Sequence, residues 1–190
     1  MIYIETTVGF ESAYPIVDVE IANNISNGNK EWKYQESDIT CCSVLFGNKI
    51  RTLFRNKEDS IIEYKKQLQT ILFPTMYAFN ERMESGSFKG FLGQKFDIKE
   101  IKAFKGKGWN KEKFYQELLK DGKIIPNPLI DEDKLKDDSS LCISLYAEGK
   151  KWEIIEHNII DVIKQYYILI FKDYFLTKYK SRISQDGWIN

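Results

Sequence analysis

The spacing of apolar and polar residues divides the chain into strands first and helices later. Residues 15 to 22, PIVDVEIA, set β-branched residues around two acids and predict a strand. After the polar loop NNISNGNKEW, the runs DITCCSVLF (38 to 46) and KIRTLFRN (49 to 56) predict two more strands, with Gly47-Asn48 as a hairpin turn between them. An antiparallel meander is the expectation. Asp59 or Ser60 can cap a helix through IIEYKKQLQTIL, where Ile61, Ile62, Tyr64, Leu68 and Leu72 form one apolar stripe and Pro74 stops the run. The short apolar segment TMYAF (75 to 79) then predicts a buried strand, reached by a right-handed parallel crossover. A helix from about 84 to 92 closes at Gly93.

Residues 94 to 137 carry weaker patterning. KEKFYQELLK is expected to be helical, and IIPNPLIDEDKLKDD is a charged, Pro-bearing connection. Ser139 or Ser140 can cap a short helix, SLCISLYAE, ended by Gly149. From Lys151 a long helix is predicted to about Lys180, with Trp152, Ile155, Ile159, Val162, Ile163, Tyr166 and Ile170 at helical spacing. The layout predicts one α/β domain over residues 1 to 190, with a mixed sheet of three antiparallel strands plus parallel strands, flanked by helices.

Composition narrows the function classes. Hydrophobic residues make up 43% and charged residues 29%, which excludes a mainly disordered chain. Lys plus Arg equals Asp plus Glu, at 28 each, so an anionic partner must be held by a local basic patch. Cys41, Cys42 and Cys142 fit neither a disulfide framework nor a zinc spacing and are expected to be core thiols. The segment at 163 to 176 is interrupted by Lys164, Gln165, Lys172 and Asp173 and so reads as a buried helix, not a membrane span. A cytoplasmic protein without membrane contact is expected.

Three short motifs concentrate the chemistry. In the first, Asp18 and Glu20 lie two apart on a strand and project from the same face. Glu5 has no such partner and reads as a solvated strand residue. In the second, Asn80-Glu81-Arg82-Met83-Glu84 follows a buried strand, where α/β folds place their sites. Asn80 is equally suited to cap the following helix. In the third, His157-Asn158-Ile159-Ile160-Asp161, the histidine and the aspartate are four apart and share a helical face. A lysine-rich segment at 102 to 113 interleaves Lys105 and Lys107 with Phe104 and Trp109, a pattern suited to a phosphate backbone and an unpaired base or to a solvated loop.

Taken in order, VDVE, AFNERMESGSFKGFLG and EHNIIDV resemble the three exonuclease motifs of the DEDD superfamily, within the ribonuclease H-like fold. The third motif is similar to the HNxxDV segment of its prokaryotic and viral branch. The resemblance implies a 3′-to-5′ exonuclease using two divalent cations, Mg²⁺ or Mn²⁺. It implies that Asp18, Glu20, Glu84 and Asp161 are the metal ligands and that His157 is the general base. Asn80, Lys105, Lys107, Trp109 and Asn158 are then candidates for contact with a single-stranded 3′ end. Glu84 stands where the family usually has Asp, and His157 has the spacing of the tyrosine branch. An alternative expectation is therefore a ribonuclease H-like module that binds nucleic acid or protein with little or no turnover; endonucleolytic cleavage is a third.

Overall fold

The computed structural model describes residues 1–22, 37–102, 109–131, 133–135, 138 and 140–180. Its elements in order are β1 (Ile2–Ile21), β2 (Ile39–Phe54), α1 (Ile61–Ile71), β3 (Thr75–Ala78), α2 (Glu81–Leu92) and β4 (Asp97–Glu100). They continue with α3 (Lys111–Lys120), α4 (Pro128–Asp131), α5 (Leu141–Ala147), α6 (Lys151–Ile170) and α7 (Lys172–Lys178). The fold is α/β, with a mixed four-stranded sheet in the order β2-β1-β3-β4. β1 and β2 are antiparallel, whereas β1–β3 and β3–β4 are parallel, as crossovers through α1 and α2 require.

The sheet corrects the expectation of three antiparallel strands. Strand geometry runs unbroken from Ile39 to Phe54 because the region around the expected turn stays bridged to β1, with Thr7 opposite Lys49 and Ser12 opposite Gly47. The chain nevertheless bends there. Gly47 has φ +61°, a conformation that costs a residue with a Cβ. Beyond it the Ser43 and Thr52 hydroxyls are 2.7 Å apart, and Arg55 N–H donates to the Thr40 carbonyl at 2.8 Å. A straight strand would separate residues 43 and 52 by about 30 Å. The two arms of β2 therefore lie side by side. β1 follows the bend, its first half pairing with residues 49 to 54 and its second half with residues 39 to 45.

Alternate residues of a strand face opposite ways, and the two faces of this sheet are covered by different helices. Val17, Val19, Cys42 and Val44 pack with Tyr64, Leu68, Phe88 and Phe91 of α1 and α2. Ile16, Leu45 and Ile50 pack with Phe114, Leu118, Ile160 and Ile163 of α3 and α6. Asp18 and Glu20 share the face of Ile16 and so point under α6.

Local signals explain several boundaries. Ser60 caps α1 by accepting from Glu63 N–H, and Gly93 ends α2 at φ +69°. Asn80 occupies the position before α2, but its side chain makes no capping bond and its carbonyl accepts from Glu84 N–H. The helix expected to reach Lys180 is interrupted at Phe171 (φ −101°, ψ 16°), and α7 resumes with Phe175 buried beside Phe114. All three cysteines are buried and free. No described helix is long and apolar enough to cross a membrane.

Candidate metal centre

α6 is apolar along most of its length, yet His157, Asn158, Asp161, Lys164 and Gln165 fall at steps that keep them near one face. That polar stripe lies over Asp18 and Glu20. All of these residues, and Glu84 on the first turn of α2, are at most 3% exposed. Buried polar groups at this density need specific partners. Asn158 donates to Asp18 Oδ2 at 2.8 Å and accepts from the Cys41 thiol. Gln165 donates to Asp18 Oδ1 and accepts from Phe79 N–H at 3.0 Å, which ties the end of β3 to α6.

The carboxylates converge. One oxygen from each of Asp18, Glu20 and Asp161 lies within 4.8 Å of the others. Glu84 does not belong to that close trio, but it lies near enough for Asp18 to act on it electrostatically. Glu20 Oε1, Glu84 Oε2, Asp161 Oδ1 and His157 Nε2 are buried without a hydrogen-bond partner among the described residues, and Asp161 Oδ2 is met by the Lys111 ammonium. Oxygens left in that condition fit a hard divalent cation, whose natural ligands are carboxylates. Asp18, Glu20 and Asp161 could hold one such ion.

Two lysines contribute positive charge. Lys111, on the first turn of α3, places its ammonium 3.0 Å from Asp18 Oδ1 and in contact with Asp161 Oδ2. Lys164 is fully buried, 2.8 Å from Glu112 and 3.1 Å from Asp133. Asp133 also holds His157, with Oδ1 3.0 Å and Oδ2 3.2 Å from Nδ1. This aims His157 Nε2 at the acids, 3.5 Å from Asp161 Oδ2 and 3.8 Å from Glu20 Oε1.

Burial pushes Asp18 up to about 6 although Lys111 opposes it, and burial together with Asp18 pushes Glu20 up to about 8. Glu84 is raised well above its ordinary value by burial and then by Asp18. Asp133 behaves oppositely: its burial is outweighed by the hydrogen bond and charge of His157 and by Lys164, and its carboxyl is held low. For His157, burial favours the neutral ring, but Asp133, Asp161 and Glu20 overcome it and raise the ring to about 9.

Of the residues singled out by sequence, Asp18, Glu20, His157 and Asp161 are brought together, while Glu84 stays outside that group but within electrostatic reach of Asp18. Asn158 also lies here, its amide engaged by Asp18 and Cys41. Asn80 sits at the start of α2, four residues from Glu84. Trp109 packs on Phe114 and Tyr179. Lys105 and Lys107 lie outside the described residues. Glu5 is on an exposed stretch of β1, paired with Lys49 and Arg51. Sequence reasoning missed Asp133, Cys142, Lys164 and Gln165, and it singled out Lys111 only as part of the lysine-rich segment, not as the partner of Asp18 and Asp161. For Lys164 and Gln165 a signal existed, because they extend the His157–Asp161 face by one more turn. Compared with protein-family models, curated proteins and solved structures, the chain has no match.

Proposed function

We propose that the chain is a ribonuclease H-like, metal-dependent 3′-to-5′ exonuclease that hydrolyses phosphodiester bonds of DNA or RNA. The observation that carries this reading is the meeting of Asp18, Glu20 and Asp161 within 4.8 Å, from a strand and a helix far apart in sequence. The order of elements supports the fold assignment: a folded-back antiparallel unit is followed by two parallel strands, each reached through a helix.

Two divalent cations, Mg²⁺ or Mn²⁺, would supply charge neutralisation at phosphorus and an activated water. The residues do the rest. Asp18, fixed by Asn158 and Gln165, would be shared between the ions, with Glu20, Asp161 and Glu84 as the other residues that would hold them. His157 takes the proton from the attacking water through Nε2, while Asp133 holds the ring by Nδ1. Were Asp161 and Glu20 held as ligands, they would raise His157 less, and its base form would lie nearer neutral pH. Lys105 and Lys107 track the phosphate backbone of a single-stranded 3′ end.

An oligonucleotide labelled at its 5′ end tests this directly. With Mn²⁺ the exonuclease reading expects a ladder shortening from the 3′ end and release of nucleoside monophosphates; internal fragments alone would indicate an endonuclease. A second reading, a binding module without turnover, is favoured by one observation. Lys111 already provides a cation between Asp18 and Asp161. Under that reading neither product forms and Mn²⁺ does not bind.

A further inference from the structure

The geometry that suits His157 to proton transfer suits it equally to holding a metal ion. Its Nε2 is buried without a hydrogen-bond partner among the described residues, while its Nδ1 is fixed by both oxygens of Asp133. A carboxylate holding one ring nitrogen and leaving the other bare is the arrangement that orients histidine as a metal ligand. Glu20 Oε1 is likewise buried without a hydrogen-bond partner among the described residues. One ligand atom from each of Glu20, Cys142 and His157 lies within 4.8 Å of the others, and all three residues are buried.

We infer that Glu20, Cys142 and His157 form a binding site for one borderline-soft divalent ion of the zinc class, oriented by Asp133 and overlapping the hard-cation centre through Glu20. Sulfur and imidazole donors select zinc over magnesium, whereas the Asp18–Glu20–Asp161 set is all oxygen. Three protein donors leave one position of a tetrahedral shell open. On binding, the Cys142 thiol proton and any proton on His157 pass to solvent. A small cavity lined by Leu129, Leu135, Glu153 and Glu156 reaches Asp133 and His157. The two sites share Glu20, so an ion at one competes with an ion at the other for that carboxylate. The functional consequence, which rests on the exonuclease reading, is inhibition: a zinc-class ion on Nε2 occupies the atom that accepts the proton from water.

The test uses the purified full chain freed of metal, with Co²⁺ as the spectroscopic stand-in for Zn²⁺ and Mn²⁺ as the hard probe. One equivalent of Co²⁺ should give a near-ultraviolet thiolate-to-cobalt charge-transfer band and intense tetrahedral d–d absorption, both removed by one equivalent of Zn²⁺. Cys142→Ser and Cys142→Ala should each abolish the band, and Cys41→Ser should keep it. Asp133→Asn should weaken Zn²⁺ binding by about 10 to 100-fold, as loss of an outer-sphere partner does. Mn²⁺ binding, followed by its electron-spin resonance signal, should survive in both Cys142 variants. A band that persists without Cys142, or no band in a protein that binds Mn²⁺, overturns the zinc-class site and leaves the exonuclease reading standing. A band with no Mn²⁺ binding supports this site and counts against the hard-cation centre.

Discussion

Neutralising Glu20 should stabilise the metal-free protein, and more so as pH rises. Glu20 has an ordinary value of 4.5, which burial and Asp18 push up to about 8 in the folded state. Between those values the folded protein retains a proton that the unfolded chain has lost, so stability falls as pH climbs through that window. The gap sets a ceiling of about 5 kcal/mol on the loss at pH 9. Glu20→Gln removes the charge and keeps the shape. Its amide must find an acceptor, which returns part of the gain, so a net stabilisation of about 2 to 3 kcal/mol is expected at pH 9. For a chain of this size that is a rise of roughly 5 to 10 °C in Tm. Asp18, raised to about 6, has already lost its contribution by neutral pH. His157, raised to about 9 in part by Glu20, loses its own contribution as pH passes from 6.5 through 9, and in the variant that contribution is smaller because one of the groups raising the ring is gone. The assay is thermal and urea unfolding in chelator at pH 5, 7 and 9. At pH 5 wild type and variant should nearly coincide. A variant less stable than wild type at pH 9, or with an unchanged difference between pH 5 and pH 9, would refute the claim that these acids are buried at a cost awaiting a cation.

Three further outcomes are expected. His157→Ala should lower single-turnover cleavage by roughly 10² to 10⁴-fold while Mn²⁺ binding persists; full activity, or loss only in proportion to unfolded protein, would remove it as the base. Lys111→Met should tighten Mn²⁺ binding in calorimetry and lower metal-free stability, because it deletes the ammonium in contact with Asp18 and Asp161; weaker Mn²⁺ binding would contradict that competition. Lys105→Ala with Lys107→Ala should weaken oligonucleotide affinity and flatten its salt dependence with turnover at saturation retained, and unchanged affinity would assign the segment to a solvated loop.

The parts of this protein legible in its sequence are those encoded by short-range patterns. The two-residue spacing of Asp18 and Glu20 fixed their common face, and the four-residue spacing of His157 and Asp161 did the same on α6. The Gly47-Asn48 signal located a real bend, but pattern alone could not tell that β1 would follow around it and merge the expected strands into longer elements. β4 is four residues long and too short to show a period. Asp133 lies in a Pro-bearing charged connection and Lys111 opens a surface-patterned helix. What makes either matter is the tertiary approach to His157 and Asp161. Lys164 and Gln165 were visible as interruptions of an apolar run; their meaning depended on extending the polar stripe of α6 rather than breaking its apolar one. Cys142 gave no local signal, since a buried thiol is ordinary core chemistry until a carboxylate and an imidazole face it.

The central claim is that four carboxylates form one two-cation centre. Anomalous diffraction from crystals soaked in Mn²⁺ tests it most directly. The account predicts two peaks about 4 Å apart, with Asp18 between them, Glu20 and Asp161 at one and Glu84 facing the other, and Lys111 displaced from the space between Asp18 and Asp161. No peak at these acids, with Lys111 still bridging Asp18 and Asp161, would contradict it.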